Sequence, residues 1–151
     1  MILITIYPEY VKKIKEGLKK YEFRKIFSKR RKNRITKQGY VIIYESMPES
    51  TISMILKIER IYEDNLSNLW RRFGSQSGIT KDYFLNYYYG KNRGVAIEIK
   101  DFLVLKKPIT LLQIKQLYPN FIPPQNFYEL SNEKYPLLYQ RLKKKISKNK
   151  F

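Results

Sequence analysis

Cysteine and histidine are both absent from the 151 residues. Without thiols there is no disulfide, zinc ribbon or cysteine nucleophile. Without imidazole there is no Ser-His-Asp triad, Cys-His dyad or common zinc site. Any catalysis must run on Lys, Tyr, Ser, Thr, Asp or Glu, and no metal or other cofactor is expected. Long apolar runs are missing too. The start, MILITIYPEY, is apolar for only a few residues and lacks the basic leader and long apolar core of a signal peptide, and no stretch approaches a membrane span. A soluble, cytoplasmic protein with no membrane partner is expected. Acids are scarce, 13 against 31 Lys and Arg.

What is present argues for a folded single domain. The length is enough to bury a core without staples, and an aromatic content of 15%, with 14 Tyr, excludes a disordered composition. The formal charge of +18 is concentrated in two segments. Residues 12–37 hold 13 Lys and Arg against Glu16 and Glu22, and residues 141–150 hold six with no acid. Both would attract a polyanion by releasing its counterions, although a lysine-rich surface can also serve solubility alone.

Along the chain, Ile2 to Ile6 reads as a buried strand and Pro8 opens a short helix carrying Tyr10, Val11, Ile14 and Leu18, with Gly17 as its stop. Tyr21 to Ile26 alternates: Tyr21, Phe23 and Lys25 point one way, Glu22, Arg24 and Ile26 the other. Residues 28–38, SKRRKNRITKQ, have Ile35 as their one large apolar residue and read as a loop. Strands are predicted at Tyr40 to Tyr44 and Thr51 to Tyr62, then a helix capped by Asn65 or Ser67 and another capped by Thr80. Gly94 to Ile99 and Phe102 to Leu105 resume strand character, with a turn or bulge at Lys100-Asp101. Thr110 to Leu117 reads as a helical turn, and PNFIPPQNF as extended. Leu137, Leu138, Leu142 and Ile146 form a stripe on a basic C-terminal helix. There is no repeat and no interdomain linker. A small, mixed α+β barrel of about five to six strands, decorated by helices, is predicted.

The segment GLKKYEFRK, residues 17–25, places Lys19 at the entrance of a strand whose one face carries Glu22 and Arg24. The pattern GxKxxExR resembles the ASCH domain family, a branch of the PUA-like β-barrels. Further matches follow in order: ILITIYPEYVKKIKEGLKKYEFRK resembles the first strand, helix and signature strand, GYVIIYESMPES the next hairpin, and SGITKDYFLNYYYGKNRGVAIEI a helix and barrel strand. PITLLQIKQLYPNFIPPQNFYEL is similar to the ending of a group of ASCH proteins described as predicted transcriptional regulators. The resemblance covers roughly residues 2–130, which would make 1–130 the ASCH domain and 131–151 a basic C-terminal helix or tail packed on it.

The resemblance implies a cleft in which Lys19, Glu22 and Arg24 face a basic, RNA-sized groove, open to solvent. A purely structural ion pair is the alternative for these charges. One branch of the family resembles amidohydrolases acting on N4-acetylcytidine through a Lys, a Thr three residues later and a Glu. Here that third position is Glu22, which cannot act as a hydroxyl nucleophile. Another branch resembles ribonucleases using Tyr, Lys and Ser, types that Tyr44, Lys19 and Ser46 supply.

The leading expectation is a noncatalytic, regulatory module that binds RNA in preference to DNA and takes a nucleotide or modified base in its cleft. Lys29, Arg30, Arg31, Lys32 and Arg34 on one side and Lys143 and Lys144 on the other would hold phosphates. Tyr40, Tyr44, Tyr87, Tyr88, Tyr89 and Phe127 are candidate stacking platforms, though at most some of the tyrosine run 87–89 can face inward. Gln125 and Asn126 can read base edges or merely hold an extended loop. The second expectation is a metal-independent ribonuclease or nucleoside amidohydrolase using Lys19 and Glu22, with Tyr44. The third is a protein partner docked through Leu138, Leu142 and Ile146 of the C-terminal helix.

Overall fold

The structure, a computed structural model, describes residues 1–149, with the side chains of Arg31 and Arg34 outside the described residues. Six strands form one mixed sheet in the order β2-β5-β4-β3-β1-β6. The chain divides into two compact units. Unit 1 comprises Met1–Pro8, Tyr40–Lys57 and the chain from Phe102 onward; unit 2 comprises Glu9–Gly39 and Ile58–Asp101. Strands β4 (Thr51–Asn65) and β5 (Arg93–Thr110) are long enough to contribute residues to both.

In unit 1, β1 (Ile2–Ile6) runs parallel to β3 (Tyr40–Glu45), with Thr5 opposite Tyr44 and Ile6 opposite Glu45. On its other side β1 pairs antiparallel with β6 (Phe127–Glu129). β3 returns antiparallel to β4, with a register shift between Ile43 and Tyr44. The core is continuous apolar packing: Leu3, Ile42, Ile55, Leu105 and Phe121 meet Leu138, Leu142 and Ile146 of helix α6 (Pro136–Lys148). The helix stripe is thus consumed by the protein's own core, so Leu138, Leu142 and Ile146 are not available to a partner, correcting the docking expectation. Leu137 leaves the stripe and stands 60% exposed, because its neighbour Leu138 takes the inward turn position. Helix α5 (Leu111–Leu117) starts in a capping box, Thr110 Oγ1 accepting from the Gln113 amide while the Gln113 side chain accepts from the Thr110 amide.

Unit 2 holds α1 (Pro8–Lys15, from Glu9), β2 (Tyr21–Arg24), α2 (Lys29–Gln38), α3 (Leu66–Phe73) and α4 (Lys81–Tyr87). β2 pairs antiparallel with β5, Glu22 opposite Ile97 and Arg24 opposite Val95. The core is aromatic: Phe23 and Phe84 rings lie 4.8 Å apart, Trp70 and Phe84 5.0 Å, and Tyr21 and Phe73 4.5 Å. Asn65 caps α3 and Thr80 caps α4 through their side chains, each accepting a backbone amide three residues on.

Two sequence expectations are overturned. Residues 29–38 form a helix, not a loop. Lys, Arg and Gln are good helix formers, buried Ile35 anchors the segment, and Gly39, at φ 73°, ends it by donating to the Ile35 carbonyl at 2.8 Å. Charge density had hidden an ordinary helix with one anchoring residue. β5 is continuous through Lys100-Asp101, and Lys100 ion-pairs with Glu59 of β4 at 2.5 Å. A charged pair on the sheet surface, not a turn, explains that dipeptide.

Candidate functional site

The signature charges meet in unit 2. Glu22 Oε2 lies 2.9 Å from the Lys19 ammonium and Oε1 lies 2.8 Å from the Arg24 guanidinium. Two further acceptors engage Lys19: the carbonyls of Ser77 at 2.6 Å and Tyr21 at 3.0 Å. Three acceptors thus meet the three ammonium protons. The Tyr10 ring centroid lies 5.5 Å from Lys19 Nζ and 5.4 Å from Lys13 Nζ, and Lys13 itself donates to the Gly78 carbonyl at 2.6 Å. Sequence placed this group in a solvent-reachable hollow. The side chains of Lys19, Glu22 and Arg24 are instead only 2%, 9% and 7% exposed.

Local structure explains the convergence. The chain leaves α1 through Gly17, and the amides of Leu18 and Lys19 both donate to the Lys13 carbonyl, which turns Lys19 back toward β2. The segment 74–78 closes over it: Lys20 donates to the Gln76 carbonyl at 2.7 Å, and buried Ser77 bonds to the Gly74 carbonyl through its hydroxyl. Burial alone would push the Glu22 carboxyl up, but the charges of Lys19 and then Arg24, with their hydrogen bonds, outweigh it and hold the group below the ordinary carboxylate range. A carboxylate held this firmly ionised is a fixed charge rather than a proton shuttle.

The cationic candidates of α2 lie in the same unit. Lys29 and Arg30 are exposed, and Lys32 is half-buried and pairs with Glu63 at 3.3 Å. The side chains of Arg31 and Arg34 lie outside the described residues. Of the aromatic candidates here, Tyr88 is buried, its hydroxyl donating to the Arg24 carbonyl at 2.7 Å, so it is no platform. Tyr87 is half-buried, and Tyr89 is 89% exposed.

The remaining candidates belong to unit 1. Tyr44 is buried in the apolar cluster, which removes it as a stacking surface; burial raises its phenol's pKa, against the opposing effect of a hydrogen bond with Ser50. Tyr40 and Phe127 are half-buried. Ser46 donates its amide to the Ile6 carbonyl at 3.1 Å, while its buried hydroxyl has no hydrogen-bond partner among the described residues. Gln125 and Asn126 are exposed just before β6, and Lys143 and Lys144 are exposed on α6. One residue that the sequence reading passed over is Glu45, buried at the end of β3. Its signal is an acid at the third place of the alternation Val41-Ile43-Glu45, where the two preceding side chains are apolar and buried.

A six-stranded mixed sheet carrying short helices, with a Lys-Glu-Arg group at the entrance and on the inner residues of β2, defines a PUA-like α+β domain. The ASCH domain model matches residues 4–122, and the chain belongs to the ASCH domain family. An ASCH domain-containing ribonuclease of Zymomonas mobilis is 28% identical over 131 residues, covering 87% of this chain and 84% of its own length. Crystal structures of the Zymomonas mobilis ASCH protein are similar throughout. A serine-to-alanine mutant matches with a TM-score of 0.78 at 26% identity, covering 92% of this chain and 94% of that one. A tyrosine-to-phenylalanine mutant matches with a TM-score of 0.76 at 25% identity, covering 92% and 96%. The N-terminal domain of Staphylothermus marinus McrB shares the fold, with a TM-score of 0.53 at 15% identity and 93% of each chain covered. Among the described residues, no helix is long and apolar enough to cross a membrane.

Proposed function

We propose that this chain is an RNA-binding ASCH module with a regulatory, noncatalytic role in the cytoplasm. The observation that carries the reading is helix α2, ten residues with six cations and no acid, of which Lys29, Arg30 and Lys37 are exposed. A helix this one-sided in charge repels itself, and a polyanion relieves the repulsion. Arg141, Lys143, Lys144 and Lys148, exposed on α6, give unit 1 a second such surface. RNA is favoured over DNA because the relative matched over most of both chains is named a ribonuclease. In this reading Arg24 and Lys19 shape the domain from within, and α2 and α6 contact phosphates.

The same relative favours a second reading, metal-independent RNA cleavage. That chemistry needs one group to take the 2′-hydroxyl proton and another to protonate the leaving oxygen. Lys19 has its three protons engaged and Glu22 is held ionised by two cations, while Tyr44 is buried. The geometry therefore supports binding better than cleavage. An amidohydrolase role fares worse, since Glu22 stands where the resemblance places the nucleophilic threonine.

Fluorescence anisotropy of a labelled single-stranded RNA across a salt series tests the proposal. The logarithm of the binding constant should fall by about 0.7 per neutralised phosphate for each tenfold rise in salt. Affinity that does not change between low and moderate salt overturns it. Cleavage of the same RNA that is lost in Lys19→Ala, with the variant's circular dichroism spectrum unchanged, would support the second reading instead.

A further inference from the structure

Unit 2 carries a second gathering of rings and cations, on the face of β2 opposite to Glu22. Strand alternation turns Tyr21 away from Glu22, and Tyr21 lies directly across from Glu98 of β5. The Glu98 carboxylate holds two phenols: one oxygen accepts from the Tyr62 hydroxyl at 2.9 Å, the other from the Tyr21 hydroxyl at 3.3 Å. The Phe73 ring of α3 packs against both tyrosines, its centroid 4.5 Å from that of Tyr21 at an interplanar angle of 31° and 4.7 Å from that of Tyr62 at 37°. Three rings from two strands and a helix are thus fixed against one another, with a carboxylate pinning the tips of two.

Arg72 lies on this group. Its guanidinium carbon is 4.7 Å from the Phe73 centroid and 5.0 Å from that of Tyr62, and the Arg60 guanidinium is 5.9 Å from the same Tyr62 ring. The Arg72 side chain is nonetheless 44% exposed. Asp64 approaches it only to 3.9 Å, and the other Asp64 oxygen accepts from the Asn65 backbone amide and the Asn68 side chain. Attraction to the rings therefore seats the guanidinium while leaving it reachable from solvent.

A seated guanidinium is a charged plate, and what it can take is another plane. A nucleobase is flat, apolar on its faces and carried on a polyanion, so stacking and charge attraction act on one ligand. An acidic peptide offers the charge without the plane. A duplex keeps its base faces inside its own stack, so the ligand is an unpaired base.

We propose that Arg72, seated on the rings of Tyr62 and Phe73, is a stacking platform for one unpaired base of single-stranded RNA, with exposed Arg60 reaching an adjoining phosphate. This rests on the RNA-binding reading above and adds to it a contact with a base. The platform is distinct from the Lys19-Glu22-Arg24 group, which faces the other side of β2.

The test uses the full chain and three labelled octaribonucleotides of equal charge: adenosine, uridine and abasic. At one salt concentration the adenosine octamer should bind about tenfold tighter than the abasic one, with uridine between them, since stacking follows ring size. Arg72→Lys keeps the charge and loses the plane, so it should remove most of that margin and leave the salt slope unchanged. Its circular dichroism spectrum and melting midpoint check folding, and the abasic comparison on the unaltered protein needs no variant. Equal, salt-dependent affinity for all three octamers overturns the platform and leaves RNA binding standing. A margin that survives Arg72→Lys overturns the assignment to Arg72, and an equal loss for base-bearing and abasic chains makes Arg72 a phosphate contact instead. An oligoglutamate peptide of the same charge that displaces the adenosine octamer as well as unlabelled RNA does overturns nucleic acid as the ligand. Absence of binding to every octamer overturns both readings.

Discussion

Glu22 on β2 and Lys19, two residues before that strand, form a buried ion pair at 2.9 Å. Breaking such a pair from one side leaves charge uncompensated in the interior. Glu22→Gln strands two cations, Lys19 and Arg24, and should cost about 3–5 kcal/mol in urea denaturation. Lys19→Met leaves Arg24 facing Glu22 and should cost less. If Glu22→Gln unfolds at the unaltered urea midpoint, the pair contributes nothing to the fold.

The same group makes stability pH-dependent. Its carboxyl is held below the ordinary range when folded, so in acid the unfolded chain takes up the proton first. The contribution is fully present above the unfolded carboxylate range and is lost as pH falls through the folded value. Thermal midpoints measured from pH 7 down to pH 3 should fall for the unaltered protein, and part of that fall should vanish in Glu22→Gln.

Gly78 has φ 71°, and a Cβ there would lie 3.0 Å from the Lys19 Cβ. Gly90 has the same φ with nothing within 4 Å of such a Cβ. Both alanine variants carry the left-handed backbone strain, but only Gly78→Ala also presses on Lys19. It should cost more than about 1 kcal/mol and exceed Gly90→Ala in the same denaturation series.

Leu142 is fully buried in unit 1, whereas Leu137, five residues earlier on α6, is largely exposed. Leu142→Ala should cost about 2–5 kcal/mol, and Leu137→Ala should stay within about 0.5 kcal/mol. Equal losses would mean that α6 packs differently.

If α2 contacts phosphates, the double variant Lys29→Glu, Arg30→Glu should weaken RNA binding and reduce the salt slope by about 1.4, two single-strand phosphates' worth. An unchanged slope would remove α2 from the interface.

Much of the fold was legible where local chemistry and tertiary packing agree. Pro8, Gly17, Asn65, Thr80 and Thr110 punctuate the helices as their backbone preferences require, and the alternation of β2 set Glu22 and Arg24 on one face. The failures have a common cause. Charge dominates the sequence of residues 28–38, yet the helix over 29–38 depends on the burial of Ile35, which local sequence does not supply. The Leu138, Leu142 and Ile146 stripe was visible, but whether it covered this protein's core or another's depended on strands more than 80 residues away.

The sequence by itself determined the chemistry at hand: no thiol or imidazole, two cation-dense segments, and a Lys-Glu-Arg spacing that marks the family. Only the tertiary structure decided which charges neutralise one another. Burial and partnering arise from residues distant in the chain: the Ser77 carbonyl, 58 residues on, meets the Lys19 ammonium and helps to bury Glu22 between Lys19 and Arg24.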